Sequence, residues 1–106
     1  MFYKKSSEGY NTPLKGIRLK SLTHGQKTHM CEFIIEAGSA FPEHSHPHEQ
    51  TGYLVSGKLK FTMEGKTFDA EPGDSWSVPE NVPHSANAIE NAVIVEVFSP
   101  VREDYL

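Results

Sequence analysis

Seven prolines and eight glycines punctuate this chain of 106 residues. They cut it into short runs rich in β-branched and aromatic side chains, and nowhere do apolar residues recur at helical spacing over three turns. The runs predict strands at Ile17–Thr23, Thr28–Glu36, Glu49–Ser56, Lys58–Glu64, Lys66–Ala70, Ser75–Val78, His84–Asn87 and Ala92–Phe98. Turns are expected at His24-Gly25, Ala37-Gly38, Ser56-Gly57, Glu64-Gly65, Pro72-Gly73-Asp74 and Pro79 to Pro83. About eight short strands without helical crossovers predict an all-β domain that closes as a jelly roll or compact barrel, protecting its edges and leaving a ligand-sized mouth. The length suits one domain with its core about 17–98, and residues 1–12 read as a loose N-terminal arm.

Composition narrows the partners. Charged residues make up 23% and the net charge is −4, which leaves no footprint for nucleic acid or an anionic membrane. No apolar run approaches the ~20 residues of a membrane span, and the N-terminus MFYKKSSEGYNTP lacks the apolar stretch of a signal peptide, so the expected location is the cytoplasm. Cys31 is the single cysteine, which rules out an internal disulfide and any multi-cysteine metal site; it reads as a packed strand residue.

The stretch HSHPHEQ, His44–Gln50, holds three of the six histidines. On an extended strand His44 and His46 project to the same face and can share an ion. Gln50 can add its carbonyl oxygen, the alternative being an amide beside a three-histidine site. His84, in VPENVPHSA, is delivered by a loop stiffened by Pro79 and Pro83. Imidazole and oxygen ligands suit zinc, iron, nickel, manganese or copper. One divalent ion per chain is therefore expected at His44, His46, Gln50 and His84, the first three on adjoining strands and the fourth on the opposite loop.

His48 and Glu49 read as rim groups, His24 and His29 as surface residues, and Trp76 as core with the mouth as its alternative. Alternation in Val93–Phe98 puts Ile94, Glu96 and Phe98 on one face and Val93, Val95 and Val97 on the other. Glu96 is then a carboxylate among hydrophobes, costly unless paired, coordinated or used; the alternative is an edge-strand surface residue. Arg102 after Pro100 reads equally as a solvated tail residue or a substrate clamp.

The spacing of Gly38, His44, His46, position 50 and Gly57, followed by Gly73, Pro79, Asn81, His84 and Ala88, resembles the two sequence motifs of the cupin superfamily. Gln50 stands where most cupins carry glutamate, and Asn81 and Ala88 replace a glycine and an asparagine. Asn81 tolerates the left-handed backbone that the glycine would supply. The ending VIVEVFSPVREDYL, with the His-x-His-x3-Gln motif and the NVPH loop, is similar to the KdgF-type cupins of pectin and alginate breakdown.

That resemblance implies opening of a 4,5-unsaturated monouronate to its linear 4-deoxy-5-keto form. It assigns the metal to His44, His46, Gln50 and His84, and the active-site acid, aromatic and arginine to Glu96, Phe98 and Arg102, with glutamate in place of aspartate. A sugar acid would be the small-molecule partner. Two other functions compete on the same fold: an iron-dependent dioxygenase of a small aromatic or thiol, and a non-catalytic small-molecule-binding module. A homodimer through the N-terminal strand is expected, since edge strands and exposed apolar residues gain from pairing.

Overall fold

The computed structural model describes Met1–Leu106 and contains two antiparallel sheets. Ten strands follow in order: β1 Tyr10–Leu14, β2 Ile17–His24, β3 His29–Ile35, β4 Ala40–His44, β5 Glu49–Ser56, β6 Leu59–Met63, β7 Lys66–Ala70, β8 Ser75–Val78, β9 His84–Ala88 and β10 Ala92–Ser99. A single 3₁₀ turn, Glu103–Tyr105, follows β10. One sheet has the order β1-β2-β3-β10-β5-β8 and the other β4-β9-β6-β7. Stacked face to face, they form a jelly-roll sandwich.

Period-2 alternation sets what each strand buries. In β3 the inward residues are His29, Cys31, Phe33 and Ile35; in β10 they are Ala92, Ile94, Glu96 and Phe98. Leu54 of β5 and Ile17 and Leu19 of β2 complete the layer, and Leu59, Ala70 and Ala88 meet it from the four-stranded sheet. Ile17, Leu19, Ile35, Leu54 and Leu59 are almost fully enclosed, and each such side chain contributes about 1.5–3 kcal/mol relative to exposure. β10 lies between β3 and β5, so Glu96 is on a central strand and its edge-strand alternative falls away. Gly57 is required at the β5–β6 turn: its φ is +89°, and a Cβ there would sit 2.1 Å from the Asn91 carbonyl oxygen.

Two strands escaped the sequence reading. β1 begins at Tyr10, inside the stretch expected to be a loose arm, and pairs with β2 at Tyr10↔Lys20 and Asn11↔Leu19. β4 pairs with β9. Both are edge strands, mostly exposed and interrupted by a proline (Pro13, Pro42), so neither shows an apolar face or an unbroken run. No helix is long and apolar enough to cross a membrane.

Candidate metal and acid site

Three imidazoles meet at one end of the sandwich. His44, the last residue of β4, is the direct cross-strand partner of His84, the first of β9. Their ring centroids are 4.2 Å apart, and His46 lies 5.0 Å from His84 and 5.7 Å from His44. His46 falls beyond the end of β4, so it joins the others by the turn of the loop rather than by strand alternation. Asn81, with φ +62° as expected, donates its backbone N–H to the His46 carbonyl at 2.8 Å and ties the His84 loop to this segment. The expected placement of the fourth ligand is thereby corrected. His84 sits beside His44 in the same sheet, and Gln50, on β5, comes from the other one.

Each ring is oriented by the backbone two residues away. The Nδ1 of His44 bonds the Pro42 carbonyl at 2.8 Å, that of His84 the Val82 carbonyl at 2.8 Å, and that of His46 the His48 carbonyl at 3.0 Å. A carbonyl only accepts, so each Nδ1 carries the hydrogen and each Nε2 keeps a free lone pair. The ligand atoms lie within 4.8 Å of one another. His84 Nε2 is buried with no partner, and His46 Nε2 faces the Gln50 carbonyl oxygen at 2.9 Å, two lone-pair groups that a shared cation would reconcile. Burial pushes the His84 imidazole down to about 4 and lowers that of His46 as well, keeping both in the neutral, metal-binding form. The donor set fits a divalent transition ion held by His44, His46 and His84, with Gln50 adjacent.

The facing wall is the six-stranded sheet. Glu96 is 3% exposed; its Oε1 accepts the indole N–H of Trp76 at 2.9 Å and its Oε2 has no partner. Desolvation pushes this carboxyl up to about 8, against the opposing pull of the Trp76 and Gln50 side chains. Phe98 packs edge-on to His46, with centroids 5.8 Å apart.

Arg102 is buried, its guanidinium carbon 4.9 Å from the Phe98 centroid and 4.0 Å from that of Tyr105. Its Nε and Nη2 donate to Asp104 at 3.0 and 2.8 Å. The solvated-tail reading of Arg102 is thus overturned, but half of the fork expected to clamp a substrate is held by Asp104. That guanidinium in turn keeps the Asp104 carboxyl below its usual range.

His29, read as a surface residue, is fully buried. Its Nδ1 accepts the Arg102 backbone N–H at 3.2 Å while its Nε2 bonds the Ser21 hydroxyl at 2.7 Å, which anchors the start of the C-terminal segment. Trp76 is half-buried and lines the pocket, stacked on Phe61 at 5.2 Å. The sequence reading missed Trp76 as a partner of the acid, and Asp104 and Tyr105 altogether. Period-2 alternation around GDSWSVP could have placed Trp76 facing inward, but nothing local marks the other two.

A cupin domain family matches residues 31–99. The pectin degradation protein KdgF of Dickeya dadantii is 28% identical over 93 residues, covering 86% of this chain and 84% of its own. The structure of KdgF from Halomonas sp. superposes with a TM-score of 0.95 at 28% identity over the whole of both chains. Acireductone dioxygenase of Bacillus cytotoxicus is 38% identical over 93 residues, but only 53% of its length is covered.

Proposed function

We propose, from the premise that the chain belongs to the cupin family, that its pocket opens the ring of 4,5-unsaturated monouronates. The observation that carries this reading is a buried Glu96 carboxyl, pushed up to about 8 by desolvation and unpartnered at Oε2, in the pocket that His44 and His84 line. The likeness to KdgF proteins, one of them described as a pectin degradation protein, supports the substrate class. An ion held by His44, His46, Gln50 and His84 would supply a Lewis acid for the substrate's oxygens.

The rest of the chemistry falls to the chain. Breaking the bond between C1 and the ring oxygen leaves an aldehyde at C1 and an enol at C5, which becomes a ketone when C4 gains a proton. The C1 hydroxyl proton passes to the ring oxygen as that bond breaks; Glu96 then gives its proton to C4 and, as carboxylate, regains one from the C5 enol hydroxyl, so no external reductant or oxidant is needed. Phe98 backs the sugar ring and excludes water. Arg102 offers its remaining Nη1 edge to the sugar carboxylate, while Asp104 and the two flanking rings hold the guanidinium in place. Pairing of two copies through the edge strand β1 belongs to this proposal as well; sedimentation as a monomer at high micromolar concentration would remove it.

The test is to load the protein with a divalent metal, add unsaturated galacturonate and follow the ultraviolet absorbance of its double bond. The absorbance should fall with no oxygen consumed. Unchanged absorbance with the site loaded would reject the reading, and oxygen uptake by the ferrous form with a small aromatic or thiol would favour the dioxygenase, a chemistry to which the acireductone dioxygenase likeness gives some support.

A further inference from the structure

The hydrogen bond from Trp76 to Glu96 passes over an intervening strand. Gly52 of β5 pairs with Trp76 of β8 on one side and with Glu96 of β10 on the other. The indole therefore reaches the carboxyl across the β5 backbone, through the space a side chain at residue 52 would fill. A Cβ built on Gly52 lies 2.1 Å from Trp76 Nε1, 2.3 Å from its Cε2 and 2.5 Å from Glu96 Oε2. All three distances are far inside van der Waals contact.

Backbone conformation gives no reason for this glycine, since Gly52 is absent from the positive-φ residues of the chain. Within a strand, glycine costs about 0.5–1 kcal/mol relative to alanine, so its presence here is explained by the close approach of the two side chains. The Phe61 ring stacked on the indole, at an interplanar angle of 24°, limits how far the N–H can swing.

We propose that Gly52 and Trp76 are positioning residues for Glu96: the gap at Gly52 gives the carboxyl and the indole room to meet, so that the indole N–H holds Oε1 and fixes the carboxyl in one orientation. This rests on the uronate reading for its chemistry and on the row Trp76–Gly52–Glu96 for its geometry. Neither residue needs to touch substrate. With Oε1 occupied, the carboxyl plane is fixed and proton transfer proceeds from one oxygen in one direction.

The test uses four substitutions and one resonance. Trp76→Phe keeps a ring on Phe61 and loses the N–H; kcat for unsaturated galacturonate should fall about ten-fold with KM within about two-fold. Placed in a Glu96→Gln background, the same change should cost nothing further. Trp76 is the single tryptophan, so one indole N–H signal reports the contact by NMR without any turnover. Glu96→Ala should shift that signal, and Gly52→Ala should speed its exchange with solvent. A Trp76→Phe protein with the parent kcat, losses that multiply in the double variant, or an indole signal indifferent to Glu96→Ala would each overturn the proposal. If the parent protein opens no unsaturated uronate while the indole signal responds as expected, the uronate reading fails and the positioning of Glu96 stands.

Discussion

The two walls of the pocket are built by opposite means. The four-stranded sheet and the loop after it bring His44, His46 and His84 together, and each imidazole is oriented by a carbonyl two residues away in its own segment. On the six-stranded sheet Glu96 is oriented from another strand, by Trp76, and Arg102 takes its backbone anchor from His29, far away in the sequence. Yet burial acts alike on both walls. In the metal-free protein it pushes His84 down to about 4 and Glu96 up to about 8, so near neutral pH both are uncharged. Gln50 stands between them, its carbonyl oxygen 2.9 Å from His46 Nε2 and its side chain close to Glu96.

Breaking the histidine wall should have the largest effect. His84→Ala removes a ligand, so metal content measured by elemental analysis should fall and ring opening should drop by more than the ~100-fold that disturbing an outer hydrogen bond costs. Breaking the acid wall should separate the two. Glu96→Gln should lower kcat about 10²- to 10⁴-fold while metal content stays at the parent level. Parent-like activity in this variant would show that the two walls do not divide the work as argued.

Arg102→Lys sharpens the comparison further. Because Asp104 already holds half the fork, the loss should be limited to substrate affinity, with KM rising about ten-fold and kcat little changed in steady-state kinetics. The smallest effect concerns stability. In metal-free protein the folded Glu96 keeps a proton up to about pH 8 that the unfolded chain releases near its ordinary 4.5, so this group's contribution declines as pH rises across that window. His84, lowered to about 4 from 6.5, acts in the opposite sense, as do the lowered His46 and His29, until the unfolded imidazoles have lost their protons about one unit above the ordinary value. Glu96 is therefore isolated only at the top of its window, as pH approaches about 8. Chemical denaturation should show stability falling there by up to about 1.4 kcal/mol per pH unit, with the slope reduced in Glu96→Gln.

The division between local and distant support also explains what could be read from the residues alone. Apolar alternation and the turn residues placed eight of the strands to within a few positions, because buried strands carry their period in their own side chains. β1 and β4 were lost since they bury little and contain proline. The inward direction of Glu96 was legible for the same reason, period-2 order being a property of neighbouring residues, whereas His46 joins His44 through the loop beyond β4 and not by the alternation its spacing implied.

By itself, then, the sequence determined eight of the ten strands, three histidines able to share an ion and an alternation that groups Glu96 with Ile94 and Phe98. Tertiary structure alone decided that His29 is buried beneath Arg102, that Asp104 occupies part of the guanidinium and that Trp76 holds Glu96 across Gly52. Each of these is a contact between segments distant in the chain or a competition for one hydrogen-bonding edge. Asp104 is only two residues from Arg102, but the His29–Arg102 and Trp76–Glu96 pairings have no local pattern, because they come into being only when the strand order β10-β5-β8 and the return of the C-terminal segment put those groups within hydrogen-bond reach.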